Sequence, residues 1–93
     1  MANIRELKKD INYLASEIVT QGYLKLTLMN TVKEEDITPI LTEAIRMRNE
    51  FIARTNHPDG KNNRKLVKKY YNKLRTDLMS KSLELLDQIQ AVQ

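Results

Sequence analysis

"YLKLTLMNTV", residues 23–32, decides the fold of this chain. Leu24, Leu26 and Leu28 alternate with Lys25 and Thr27, which is the period of a strand. Taken as a helix, the same stretch points its apolar residues nearly all round. A lone strand leaves its backbone N–H and C=O groups unpaired, and nothing else in the chain reads as a second strand. The stretch is therefore expected to be a short helix, the alternative being a ribbon formed with a second copy of the chain. With the helical reading the protein is all-α: a small bundle of three to four helices with a long C-terminal helix, forming one domain over residues 1–93.

The bulk of the sequence agrees. It is 41% hydrophobic and 30% charged, as a globular chain is. Two glycines and two prolines are too few for a turn-rich β fold. A domain of 93 residues buries only roughly 60–65% of its unfolded surface, so any apolar face left uncovered matters. Cysteine is absent, which removes disulfides, thiolate metal sites and a cysteine nucleophile. No apolar run approaches the about 18 residues of a membrane span, and "MANIRELKKD" has no signal-peptide core. A soluble, cytoplasmic protein without a membrane partner is expected.

Before residue 23, Ile4, Leu7, Ile11, Leu14 and Ile18 step by three and four, one stripe of a helix. Asn3 with Glu6 resembles a capping box. Continued to positions 21, 22 and 25, the stripe meets Gln21, Gly22 and Lys25, so Gly22 is read as a helix stop. After residue 32, "DITPIL" places Thr38 as an N-cap and Pro39 at the first helical position, with Glu34, Glu35 and Asp36 preceding. Leu41, Ala44, Ile45, Phe51 and Ile52 are its expected apolar face, and Pro58 requires an end near Thr55. The last helix is predicted from Asn63 to Ala91, with Val67, Tyr71, Leu74, Leu78, Leu85, Ile89 and Val92 as its stripe. At 1.5 Å per residue it is roughly 43 Å long. Beside shorter helices it should bend near Ser80–Ser82 or protrude.

The connection "RTNHPDGKNNRK", residues 54–65, holds the lone histidine, His57. Pro58, Asp59 and Gly60 are turn formers, as are Asn56, Asn62 and Asn63. His57 has no second histidine or cysteine beside it, so no metal site is expected. His57, Pro58 and Asp59 lie between a helix carrying Arg46, Arg48 and Arg54 and one carrying Tyr71, Leu74 and Leu78. In this the segment resembles the J-domain, the co-chaperone module that stimulates Hsp70 ATPases. The resemblance covers residues 45–78 and implies that His57–Asp59 form a recognition loop. It lacks the family's tyrosine-rich first helix and its Leu-Gly turn. As a plain connection, the segment needs no such partner.

Lys61, Arg64, Lys65, Lys68, Lys69, Lys73 and Arg75 follow without an intervening acid, in a chain whose whole net charge is +4. On a helix they cover the side away from Val67, Tyr71 and Leu74, with Tyr70 at the flank. Such a face suits phosphates, and an adjacent aromatic can stack on a base. Two turns later Met79, Leu83 and Leu86 take over the same angles, so nearly half the circumference becomes apolar. Two stripes on one helix imply burial on two sides: a wide core contact or an interface. Arg48 and Lys81 fall inside apolar stripes, either snorkelling outward or pairing with a carboxylate such as Glu17 or Asp77.

No Gly-rich phosphate loop, nucleophile motif or metal-spaced cluster is present, so neither catalysis nor a cofactor is expected. The leading expectation is a non-catalytic protein–protein interaction module that forms a homodimer through Met79, Leu83 and Leu86, its protein partner unspecified. Nucleic-acid or other polyanion binding through residues 61–75 stands second, and a divergent J-domain-like co-chaperone third.

Overall fold

Leu7, Ile11, Ala15, Ile18 and Gly22 recur every three or four residues and are buried, and the helix they define runs on past the glycine. In the computed structural model, which describes residues 4–58 and 63–93, the chain forms α1 (Ile4–Leu28), α2 (Glu34–Asn56) and α3 (Arg64–Ala91). Among the described residues the bundle therefore has three helices and no fourth. Residues 23–28 are neither a separate helix nor an intermolecular strand: they are the last turns of α1.

Gly22 explains why the helix continues. A Cβ built there would lie 2.6 Å from Leu41 Cδ2 and 3.2 Å from Ile37 Cγ2. The glycine is where α2 comes closest to α1, so it lets the helices approach and does not end one. α1 stops at Leu28. The Met29 N–H still bonds to Lys25 O (3.0 Å), and the Val32 N–H bonds to Met29 O (3.2 Å) to turn the chain. Ile4, read as part of the stripe, is 45% exposed at the end of the helix, and Leu14 is half-buried.

α2 begins a turn before the residue read as its cap. Its N-cap is Lys33, and Glu34, Glu35 and Asp36 form its first turn, where negative charge opposes the helix dipole. Thr38 is inside the helix, its carbonyl accepting from Thr42 Oγ1 at 3.0 Å. Pro39 is also inside. Having no N–H, it leaves the Glu35 carbonyl without its intrahelical donor, and both residues lie on the solvent side. The earlier start rotates the buried face to Ile37, Ile40, Ala44, Met47, Phe51 and Thr55. Of the expected face, Leu41 and Ile52 become flanking residues and Ile45 is 54% exposed.

α3 begins as expected, with Asn63 Oδ1 accepting from the N–H groups of Lys65 (3.0 Å) and Leu66 (3.3 Å). Its buried stripe is Tyr71, Leu74, Leu78, Ser82, Leu85 and Ile89. Ser82 fills the gap that the apolar pattern left, 1% exposed, its hydroxyl 3.7 Å from Met47 Sδ. The end of α3 does not protrude. Ile89 is 3% exposed, and Lys25 Nζ donates to the carbonyls of Ile89 (2.7 Å) and Gln90 (2.8 Å). With α1 at 25 residues and α2 at 23, the neighbours are nearly as long as the 28 of α3.

The helices run up, down and up. Gly22 of α1 meets Ile37 and Leu41 of α2, and Tyr71 of α3 donates to Thr55 O of α2 at 2.9 Å. The result is a rod of 53 × 19 × 17 Å with one core along its length. One end gathers the starts of α1 and α3 with the end of α2. The other gathers the remaining three termini.

Candidate functional site

The first turns of α3 present Arg64, Lys65, Lys68, Lys69 and Arg75 to solvent. Among the described residues none of these five has an ion pair or a side-chain hydrogen bond. The cations of α2 differ: Arg46 pairs with Glu43 at 3.0 Å, Arg54 with Asp77 at 3.1 Å, and Arg48 donates to Asn12 Oδ1 and Asn49 Oδ1. Lys73, read with the basic face, is drawn to Asp77 at 3.3 Å. Lys61, Asp59, Gly60, Asn62 and the proposed cap Asn3 lie outside the described residues.

Tyr70 is not a free stacking platform. Its hydroxyl donates to Arg54 O at 2.7 Å, and its ring meets the edge of Tyr71 at 5.5 Å. These bonds tie the start of α3 to the end of α2, where Arg54 also lies 4.8 Å over the Phe51 ring. Burial raises the Tyr71 phenol above its ordinary value, so it stays a donor.

Asp77 is the acid at the centre of this corner. The Arg54 hydrogen bond, and then Lys73, hold its carboxyl below the usual 3.8. A depressed folded-state pKa contributes stability that is present above the unfolded value and is lost as pH falls through the folded one. Wild type should therefore lose more stability than Asp77→Asn as pH drops below about 4. Parallel denaturation curves at neutral and acid pH check this, and equal acid sensitivity would exclude a role for the pair.

Of the two charges within the apolar stripes, one reaches outward and the other pairs with carboxylates, though not with Glu17 or Asp77. Arg48 turns outward to Asn12, not to Glu17. Lys81 lies 3.8 Å from Glu43 and from Glu84, not beside Asp77. Glu17 accepts from Gln21.

The second apolar face of α3 divides. Leu86 packs partly into the core, whereas Met79 and Leu83 are 52% and 54% exposed. Asp77 and Lys81 reach α2 and so mark that side of α3. Met79 and Leu83 lie about 160–200° from Lys81, on the flank beside α1. Leu24 and Leu28, 46% and 76% exposed, lie in the last turns of α1, further along the rod than Leu83. Lys25 marks the side of α1 that turns to α3, and Leu28 sits about 60° from it. These two leucines could not be placed from sequence, because the helix containing them was thought to end at Gly22.

His57 follows the last turn of α2, its N–H on Arg54 O, and its side chain is exposed; Pro58 is half-buried. At the opposite end Lys33, Glu34, Glu35, Thr38 and Pro39 line a shallow open depression. Among the described residues no cluster of three or more His, Asp or Glu is placed to hold a metal ion, and no helix is long and apolar enough to cross a membrane.

Antiparallel packing sorts the charge. The half made of residues 4–15, 46–58 and 63–77 has twelve cations and four acids among its described residues; the half made of 16–45 and 78–93 has three and seven. Net charges of +8 and −4 thus occupy opposite ends. The chain order hides this, because each half is assembled from separated segments.

No protein family, curated protein or solved structure matches this chain. The J-domain resemblance rests on His57–Asp59 and their flanks alone.

Proposed function

We propose that this protein is a non-catalytic helical interaction module that associates with a second copy of itself along the flank where α1 and the C-terminal half of α3 adjoin. The observation that carries this is the exposure of Met79 and Leu83 on the C-terminal half of α3 and of Leu24 and Leu28 on the last turns of the adjoining α1. Lys25, next to Leu24 in the chain, is bonded to the carbonyls of Ile89 and Gln90, and the net +8 belongs to the other half of the rod. Two copies can therefore meet here without bringing their basic ends together, in the two-fold arrangement commonest for identical chains.

The magnitude sets the affinity. Full burial of such a side chain is worth about 1.5–3 kcal/mol, and these are already half covered, so each adds roughly 1 kcal/mol. Association costs are of similar size to that total. The dimer should be weak and concentration-dependent. Light scattering from micromolar to hundreds of micromolar should show the mass rising from 10.9 kDa toward twice that, and Leu83→Glu should hold it at the monomer with helix content unchanged. A wild-type mass that stays at 10.9 kDa throughout would sink the proposal.

A further inference from the structure

We infer that the first three turns of α3 bind double-stranded nucleic acid along its phosphate backbone. Three observations converge on this face. Arg64, Lys65, Lys68, Lys69 and Arg75 are exposed and unpaired among the described residues, whereas Arg46, Arg48, Arg54, Lys25 and Lys81 find carboxylates, amides or carbonyls. They sit at the +8 end of a rod whose other end is −4, so the long-range field draws a polyanion to this end and away from the other. They are also held on a rigid, side-chain-capped helix, spread over a rise of about 16 Å. A duplex carries one charge per about 1.7 Å of its axis with both strands counted, so a stretch of this length carries roughly ten phosphates, of which about half can face the helix.

Two other polyanions fit less well. Single strands are gripped by aromatic side chains on which bases stack, but Tyr70 is held by Arg54 O and Tyr71, and the exposed Tyr13 and Tyr23 are on α1. A helix lying on a membrane sinks its apolar face into lipid, whereas α3 uses that face, Tyr71, Leu74 and Leu78, in the core. With no groove-reading element, binding depends on charge and not on base sequence.

The test is fluorescence anisotropy with a labelled mixed-sequence 20-base-pair duplex over a salt series, with circular dichroism on each variant. Four to five phosphate contacts predict binding at about 50 mM salt that weakens roughly 10²–10³-fold by 200 mM. Lys65→Glu with Lys69→Glu should weaken it at least about tenfold and flatten the salt slope by about two. Lys33→Glu, a charge reversal at the opposite end, should change it by less than about twofold. Leu83→Glu should still bind, so failure here and failure of self-association are separate results. The inference is overturned by no duplex binding at low salt, by tighter binding to a single strand of equal length, by binding only to phosphatidylserine vesicles, or by equal loss in Lys33→Glu.

Discussion

Gly22→Leu is expected to destabilise the bundle by about 3 kcal/mol, out of the roughly 5–15 kcal/mol available to a domain of this kind. The reason is distance. Even the first added carbon would stand 2.6 Å from Leu41 Cδ2 and 3.2 Å from Ile37 Cγ2. Leu41 is half-buried and its tip can rotate away. Ile37 is 0% exposed and branched at Cβ, so it has little room to move. Alanine therefore sets a clash that one neighbour can relieve against about 1 kcal/mol of gained helix propensity, and Gly22→Ala should fall within about 1 kcal/mol of wild type. Leucine adds three more carbons to the same contact and forces α1 and α2 apart. Thermal unfolding should show its midpoint falling by roughly 10–20 °C. A leucine variant as stable as wild type would mean that the helices are not in contact there, and that the glycine is simply tolerated.

Leu85→Ala should cost about 2–5 kcal/mol, the largest single loss expected here. Leu85 is 0% exposed and lies between Ser82 and Ile89 on the buried stripe. Removing three carbons leaves a cavity between long, closely packed helices, so collapse around it is limited. The urea midpoint should fall with the slope unchanged, as it does when stability alone changes. A C-terminal segment of α3 standing clear of the bundle would instead give a loss within about 0.5 kcal/mol, as at surface sites. The measurement thus separates a fully packed α3 from a protruding one.

Both positions mark where sequence reasoning stopped. Helical periodicity, scarce glycine and proline, and the lack of any strand partner were enough to establish an all-α bundle. Local chemistry placed α3 almost to the residue, because the turn formers before Asn63, Pro58 as a break and the run from Tyr71 to Ile89 act within a turn or two of themselves. The unbroken basic run was visible for the same reason.

What the pattern could not contain was the neighbour of each residue. Gly22 ends helices in most local contexts, yet here it is kept because Ile37 and Leu41 of another helix press on it. Once α1 runs through it, residues 23–28 have no choice of structure, and α1 becomes long enough to cover the end of α3. Thr38 and Pro39 read as a cap and first helical residue because those residue types favour these positions; Ile37 and Ile40 facing the core draw the helix one turn earlier. Pairing is likewise partly tertiary. Lys73 and Asp77 are neighbours one turn apart on α3, but that Arg54 also reaches Asp77 depends on where α2 lies. The sequence by itself determined the helices and their apolar stripes, since these follow from backbone geometry and burial along one chain. Only the tertiary structure decided where α1 and α2 begin and end, which cations stay unpaired, and that the charge of six separated half-helices sorts to opposite ends of one rod, because each of these is set by contacts between residues far apart in the chain.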